Sequence, residues 1–140
     1  MAKNEYHEHL KSVPLFADLD RHELDVLASA STELRLPAGK VLMTEGRHAH
    51  EMFVVMEGTL EVTKEGEHVA DIGPGGFAGE MALLTHAQRH ATVTTKTEVT
   101  VLDIDGRSFQ VVLEEAPLIA VKMLPVVASR VVDLTEHHTH

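Results

Sequence analysis

A mainly β domain with flanking helices is the fold class this sequence predicts, and three observations carry it. Between about residues 34 and 104, short runs rich in Val, Thr and Ile recur with glycine-containing turns between them. Helical spacing brackets that stretch on both sides. The length of 140 residues fits one domain, and a hydrophobic content of 44% is enough to bury a core.

The elements follow in order. From about 19 to 31, "LDRHELDVLASAS" sets Leu24, Leu27 and Ala28 at helical spacing, and Asp20 with Glu23 three residues on predicts a capping box. Strands are then expected at "KVLMTE", "MFVVM", "TLEVT", "HVADI", "HATVTT" and "EVTVLDI". Turn signals separate them: "PAG" at 37–39, "EG" at 45–46 and 57–58, "KEGE" at 64–67 and "GPGG" at 73–76. Strands this short and regularly spaced point to a sandwich or barrel rather than a parallel sheet with crossover helices. "GEMALL" is the exception, an apolar segment of helix formers inside the β region. Beyond 106, "GRSFQVVLEE" predicts a short helix. "PLIAVKMLPVVASRVVDLTE" predicts a longer one, with Pro117 in its first turn and a kink at Pro125. The tail "EHHTH" reads as unstructured.

Composition narrows the function. A formal net charge of −10 argues against broad nucleic-acid binding, which rests on Lys and Arg neutralising phosphates. It leaves a small anionic ligand open, because such a ligand feels the local field of its pocket. With no cysteine there is neither disulfide nor thiolate chemistry. No apolar run approaches the roughly 18 to 20 residues that span a bilayer, and the first 20 residues lack the apolar segment of a secretory signal. A cytoplasmic location is expected. Ser12, Ser29, Ser31, Ser108 and Ser129 have no nucleophile motif around them, so no enzyme is expected.

"PAGKVLMTEG", "MFVVMEGTLEVTKEGEHVADIGPGGFAGEMALL" and "RHATVTT" resemble, in that order and spacing, the cyclic nucleotide-binding domain. This is the sensor module of catabolite-activator-type regulators, of cyclic-nucleotide-dependent kinases and of gated channels. The resemblance runs from about Leu15 to Val132 and is most specific in the phosphate-binding cassette, G-E-x-A-L followed by R-x-A-T-V. It implies a jelly-roll-like β-roll (double-stranded β-helix) with N-terminal and C-terminal helices. The chain is then one domain over 1–140, with its core at 15–132 and a His-rich tail at 133–140.

The cassette has chemistry of its own. A short helix starting near Gly79 offers unpaired backbone N–H groups and a positive dipole end to an anion, and Gly79 leaves the backbone open to close approach. A guanidinium forks onto two phosphate oxygens, which suits Arg89. Phosphate repels a carboxylate, so Glu80 belongs there only as an acceptor from a hydroxyl. The resemblance implies that Glu80 takes the ribose 2′-hydroxyl, that Arg89 takes the phosphate and that Ala91 allows close backbone approach. Gly79, Glu80, Met81, Ala82, Arg89, His90 and Ala91 form the expected ligand-binding set. On spacing alone, compensation of a helix dipole accounts for Glu80 and a surface ion pair for Arg89; within the matched cassette the ligand reading is preferred.

Two positions depart from the family pattern. Ala78 stands where a bulky residue usually precedes Gly-Glu. His90 stands where nucleotide-binding members carry Ala, Ser or Thr, and its imidazole either fills the phosphate pocket or, protonated, adds a second cation.

Eleven histidines raise the question of metal. His48, His50 and Glu51 resemble the metal motif of cupins, but Leu42 stands where that motif has glycine, and "PGGFAGE" lacks its later histidine. No metal is expected, although His137, His138 and His140 in the tail are able to pick up stray ions.

Only eight residues follow Val132, too few for a helix-turn-helix. A stand-alone sensor is therefore expected, acting through an unknown protein partner or through assembly. Val127, Val131 and Leu134 form an apolar stripe that serves equally as packing onto the domain itself or as a homodimer seam. Ser129 and Arg130 are candidate contacts to the base. Family frequency favours cyclic AMP over cyclic GMP. The runner-up is a degenerate member acting as a protein-interaction module without nucleotide, and a cupin-like metal enzyme is a distant third.

Overall fold

The structure, a computed structural model, describes residues 3–47, 51–79 and 91–122. Helix α1 (Lys3–Ser12), a 3-10 turn (Pro14–Phe16) and helix α2 (Arg21–Ser29) come first. The strands follow: β1 (Thr32–Leu36), β2 (Val41–Met43), β3 (Glu51–Glu57), β4 (Leu60–Lys64), β5 (Glu67–Ile72), β6 (Phe77–Ala78), β7 (Thr92–Thr95) and β8 (Val99–Asp105). Helix α3 (Gly106–Glu115) closes the series, and residues 118–122 are helical again.

The predicted capping box forms at the start of α2. Glu23 N–H donates to Asp20 Oδ1 at 2.8 Å, and Asp20 N–H donates to Glu23 Oε1 at 2.9 Å. The reciprocal pair satisfies two orphan donors of the first turn. Glu23 is buried, and the Lys122 ammonium reaches it from the C-terminal helical residues. A carboxylate buried this deeply requires such a partner.

Strand order gives two antiparallel four-stranded sheets, β1-β8-β3-β6 and β2-β7-β4-β5. Pairing is nested: β1 joins β8, β2 joins β7, β3 joins β6 and β4 joins β5. That is the jelly-roll arrangement, a long hairpin wound so that its two arms alternate between sheets. The glycine turns expected from the sequence sit at the corners, and Gly39, Gly46, Gly58, Gly66 and Gly75 all have positive φ. Gly58 shows why no other residue fits. Its φ is +88°, and an added Cβ would stand 2.3 Å from the Glu98 carbonyl oxygen.

Two apolar cores result from the alternation of side chains across a strand. Phe53, Val55, Leu60, Val93, Val99 and Val101 fill the space between the sheets. Met52, Val54, Leu102 and Ile104 point the other way, onto Leu10, Phe16, Leu27, Phe109 and Ile119 of the helical layer. β3 and β8 thus serve both cores, and their near-continuous apolar text reflects burial on both faces.

Three elements were not read from the sequence. The polar helix α1 has too little apolar patterning to signal itself. β1, "TELRL", has a largely exposed face, and β6 has only two residues. The expected helix in "GEMALL" and the expected kink at Pro125 lie outside the described residues.

Candidate functional site

The connection from β6 to β7 crosses from one sheet to the other, and the cassette is this connection. β6 pairs with β3 through Phe53–Ala78 and Val54–Phe77. The tight turn before it is held by Gly75 N–H donating to the Val55 carbonyl and Val55 N–H donating to the Gly76 carbonyl, both at 2.9 Å. Gly79 follows directly with φ +95°. This left-handed backbone strains any side chain, so glycine is required where the chain leaves the sheet.

The far end is equally well anchored. Ala91 is half-buried and leads into β7, whose first residue, Thr92, accepts the Glu45 N–H on its hydroxyl at 3.1 Å. Thr95, at the other end of β7, is buried. Its hydroxyl donates to the Pro37 carbonyl at 2.7 Å and accepts the Lys40 N–H at 2.8 Å. The cassette therefore begins and ends on fixed backbone in two different sheets. Gly79 and Ala91 are placed; Glu80, Met81, Ala82, Arg89 and His90 lie outside the described residues, as do Ser129, Arg130, Val127, Val131 and Leu134. His48 and His50 also lie outside them, whereas Glu51 opens β3.

Glu51 belongs to a carboxyl group that the sequence reading missed. Along β8, Val99 and Val101 face the space between the sheets, and Asp103 continues that register. Thr32, Asp103, Phe53 and Ala78 are successive cross-strand partners, a row that ends one residue before Gly79. Asp103 Oδ1 is buried. Burial first, then a hydrogen bond with Glu51 and the charges of Glu51 and Asp105, push the Asp103 carboxyl up from 3.8 to about 7. An acid in the inward register of an otherwise apolar strand was the available signal.

A surface cleft of about 500 Å³ lies nearby, lined by Ser12, Pro14 and residues 71–77. Its one charged wall residue, Asp71, carries the wrong sign for a phosphate.

Residues 33–116 match the cyclic nucleotide-binding domain family, and the chain belongs to it. Over 107 residues it is 39% identical to a cAMP-dependent protein kinase regulatory subunit of Yarrowia lipolytica, covering 75% of this chain and 28% of that protein. Over 109 residues it is 36% identical to a cyclic nucleotide-gated potassium channel of Rhizobium etli, covering 78% and 30%. The chain thus spans less than a third of these relatives. The N-terminal domain of a transcriptional regulator from Streptomyces coelicolor A3(2) superimposes with a TM-score of 0.74 at 31% identity, over 89% of this chain and 90% of that one. The family is regulatory, and no enzyme family is indicated. No helix among the described residues is long and apolar enough to cross a membrane.

Proposed function

We propose that the protein is a non-catalytic sensor that binds cyclic AMP in preference to cyclic GMP and passes the signal to a protein partner or to a second copy of itself. The observation that carries this reading is the cassette's setting: a Gly-Glu to Arg-x-Ala segment strung between anchored strands of two different sheets, within residues that match the family. In this reading the backbone at Gly79, Met81 and Ala82 receives the phosphate together with Arg89, Glu80 accepts the ribose 2′-hydroxyl, and Ala91 lets the ligand approach. Protonated His90 adds a second cation beside the phosphate. Ser129 and Arg130 reach towards the base. A cytoplasmic location belongs to the same reading. The preference for cyclic AMP draws on the cAMP-dependent relatives, since none of the assigned residues distinguishes adenine from guanine.

Calorimetric titration with cyclic AMP, cyclic GMP and 2′-deoxy cyclic AMP tests it. Glu80→Gln is expected to weaken binding of the ribonucleotide much more than binding of its 2′-deoxy analogue. Equal losses for both would remove Glu80 from the hydroxyl. A folded wild-type protein that takes up neither cyclic nucleotide would instead favour an interaction module that keeps the fold without the ligand.

A further inference from the structure

On the hairpin of β4 and β5, three chemically different ligating groups converge. Glu61 and Asp71 are direct cross-strand partners. His68 lies three residues before Asp71, and in a regular strand an odd separation sends two side chains to opposite faces. Here the register shifts between Val62–Ala70 and Thr63–His68, so Val69 is an extra residue. The bulge turns His68 back onto the face of Glu61 and Asp71. Its Nδ1 lies 2.9 Å from Glu61 Oε2 and 3.8 Å from Asp71 Oδ1. One donor atom from each of the three residues falls within 4.8 Å of the others.

From these observations we infer that Glu61, His68 and Asp71 form a surface site for a transition-metal dication, with zinc as the best match. A tetrahedral zinc with ligands at about 2.0–2.1 Å sets its donors about 3.4 Å apart. The two separations from His68 Nδ1 bracket that value, and the half-exposed side chains have room to close on it. One imidazole with two carboxylates suits zinc better than calcium or magnesium, which prefer all-oxygen shells. Three protein ligands leave the fourth position to water.

The cluster already draws in a cation. From the neighbouring strand side, Lys96 Nζ sits 2.9 Å from Asp71 Oδ2. Lys96 occupies Oδ2, whereas Oδ1 is the oxygen turned towards His68. Two carboxylates and one ammonium leave one negative charge facing the imidazole, which a dication offsets. Lys96 then acts as a built-in competitor that sets the affinity. Sequence alone points only to the His48–Glu51 stretch and the tail as metal ligands, because strand text does not reveal the bulge.

Zinc chloride titration, followed calorimetrically and by the His68 imidazole NMR signals, tests this. All proteins carry His137→Ala, His138→Ala and His140→Ala to remove the tail. One site is expected. His68→Ala removes a ligand outright and should weaken it by at least about tenfold. Lys96→Met should strengthen it, which no other histidine site would show. Zinc affinity unchanged by both His68→Ala and Lys96→Met, or unperturbed His68 signals at saturation, would overturn the inference. Cyclic-nucleotide titration of the same variants reports separately on the cassette.

Discussion

Asp103 shows how one side chain ties the fold to pH. Its folded-state pKa of about 7 stands above its ordinary 3.8, so the folded protein holds this proton more tightly than the unfolded chain does. The stability this contributes is fully present below about pH 4 and is lost as pH rises through the interval up to about 7. Asp103→Asn keeps the shape and removes the charge. Its thermal midpoint relative to wild type is therefore expected to rise steadily from pH 4 to pH 8 and to level off above that. A difference independent of pH would show that the carboxyl is not held protonated. His90 poses the matching question for the ligand. If its imidazolium pairs with the phosphate, cyclic AMP affinity is highest below about pH 6 and falls as pH rises through roughly 6 to 8, and His90→Ser flattens that profile. Stronger binding by His90→Ser at neutral pH would mean that the ring obstructs the pocket.

At the scale of elements, legibility followed how strongly local chemistry constrains the backbone. The Asp20–Glu23 box, the strands of β3 and β8 and the glycine corners were all visible, because capping, double-sided burial and positive φ each demand particular residues. Pairing was not visible. Nothing in "TELRL" announces that Thr32 lies beside Asp103, or that two residues of β6 suffice to carry the chain to the cassette. The residue types of the candidate site were readable for the same reason that its geometry was not: a motif names the donors, while bulges and registers decide what they face. Gly58→Ala measures how much one corner matters. Left-handed backbone together with a 2.3 Å approach to the Glu98 carbonyl is expected to cost on the order of 1–3 kcal/mol or more, read as a lower denaturation midpoint. An unchanged midpoint would mean that the β3–β4 corner rearranges freely.

For the whole molecule, the nested strand pairing anchors the β6–β7 connection in two different sheets, and the described helices pack against the outer face of one sheet. Lys122 joins the C-terminal helical residues to the buried cap of α2. If output runs through pairing of the apolar stripe, Val131→Asp shifts the protein towards monomer in sedimentation, because a charge in an apolar seam is costly; a folded variant with wild-type assembly would argue against the seam. Calorimetric titration of wild type and Arg89→Ala with cyclic AMP reports most directly on whether the β6–β7 connection holds a cyclic nucleotide phosphate. Saturable binding by the wild type is expected, with an affinity at least about tenfold lower in the variant from loss of a charge-assisted contact of about 1.5–3 kcal/mol. Equal affinity in the two proteins would contradict it.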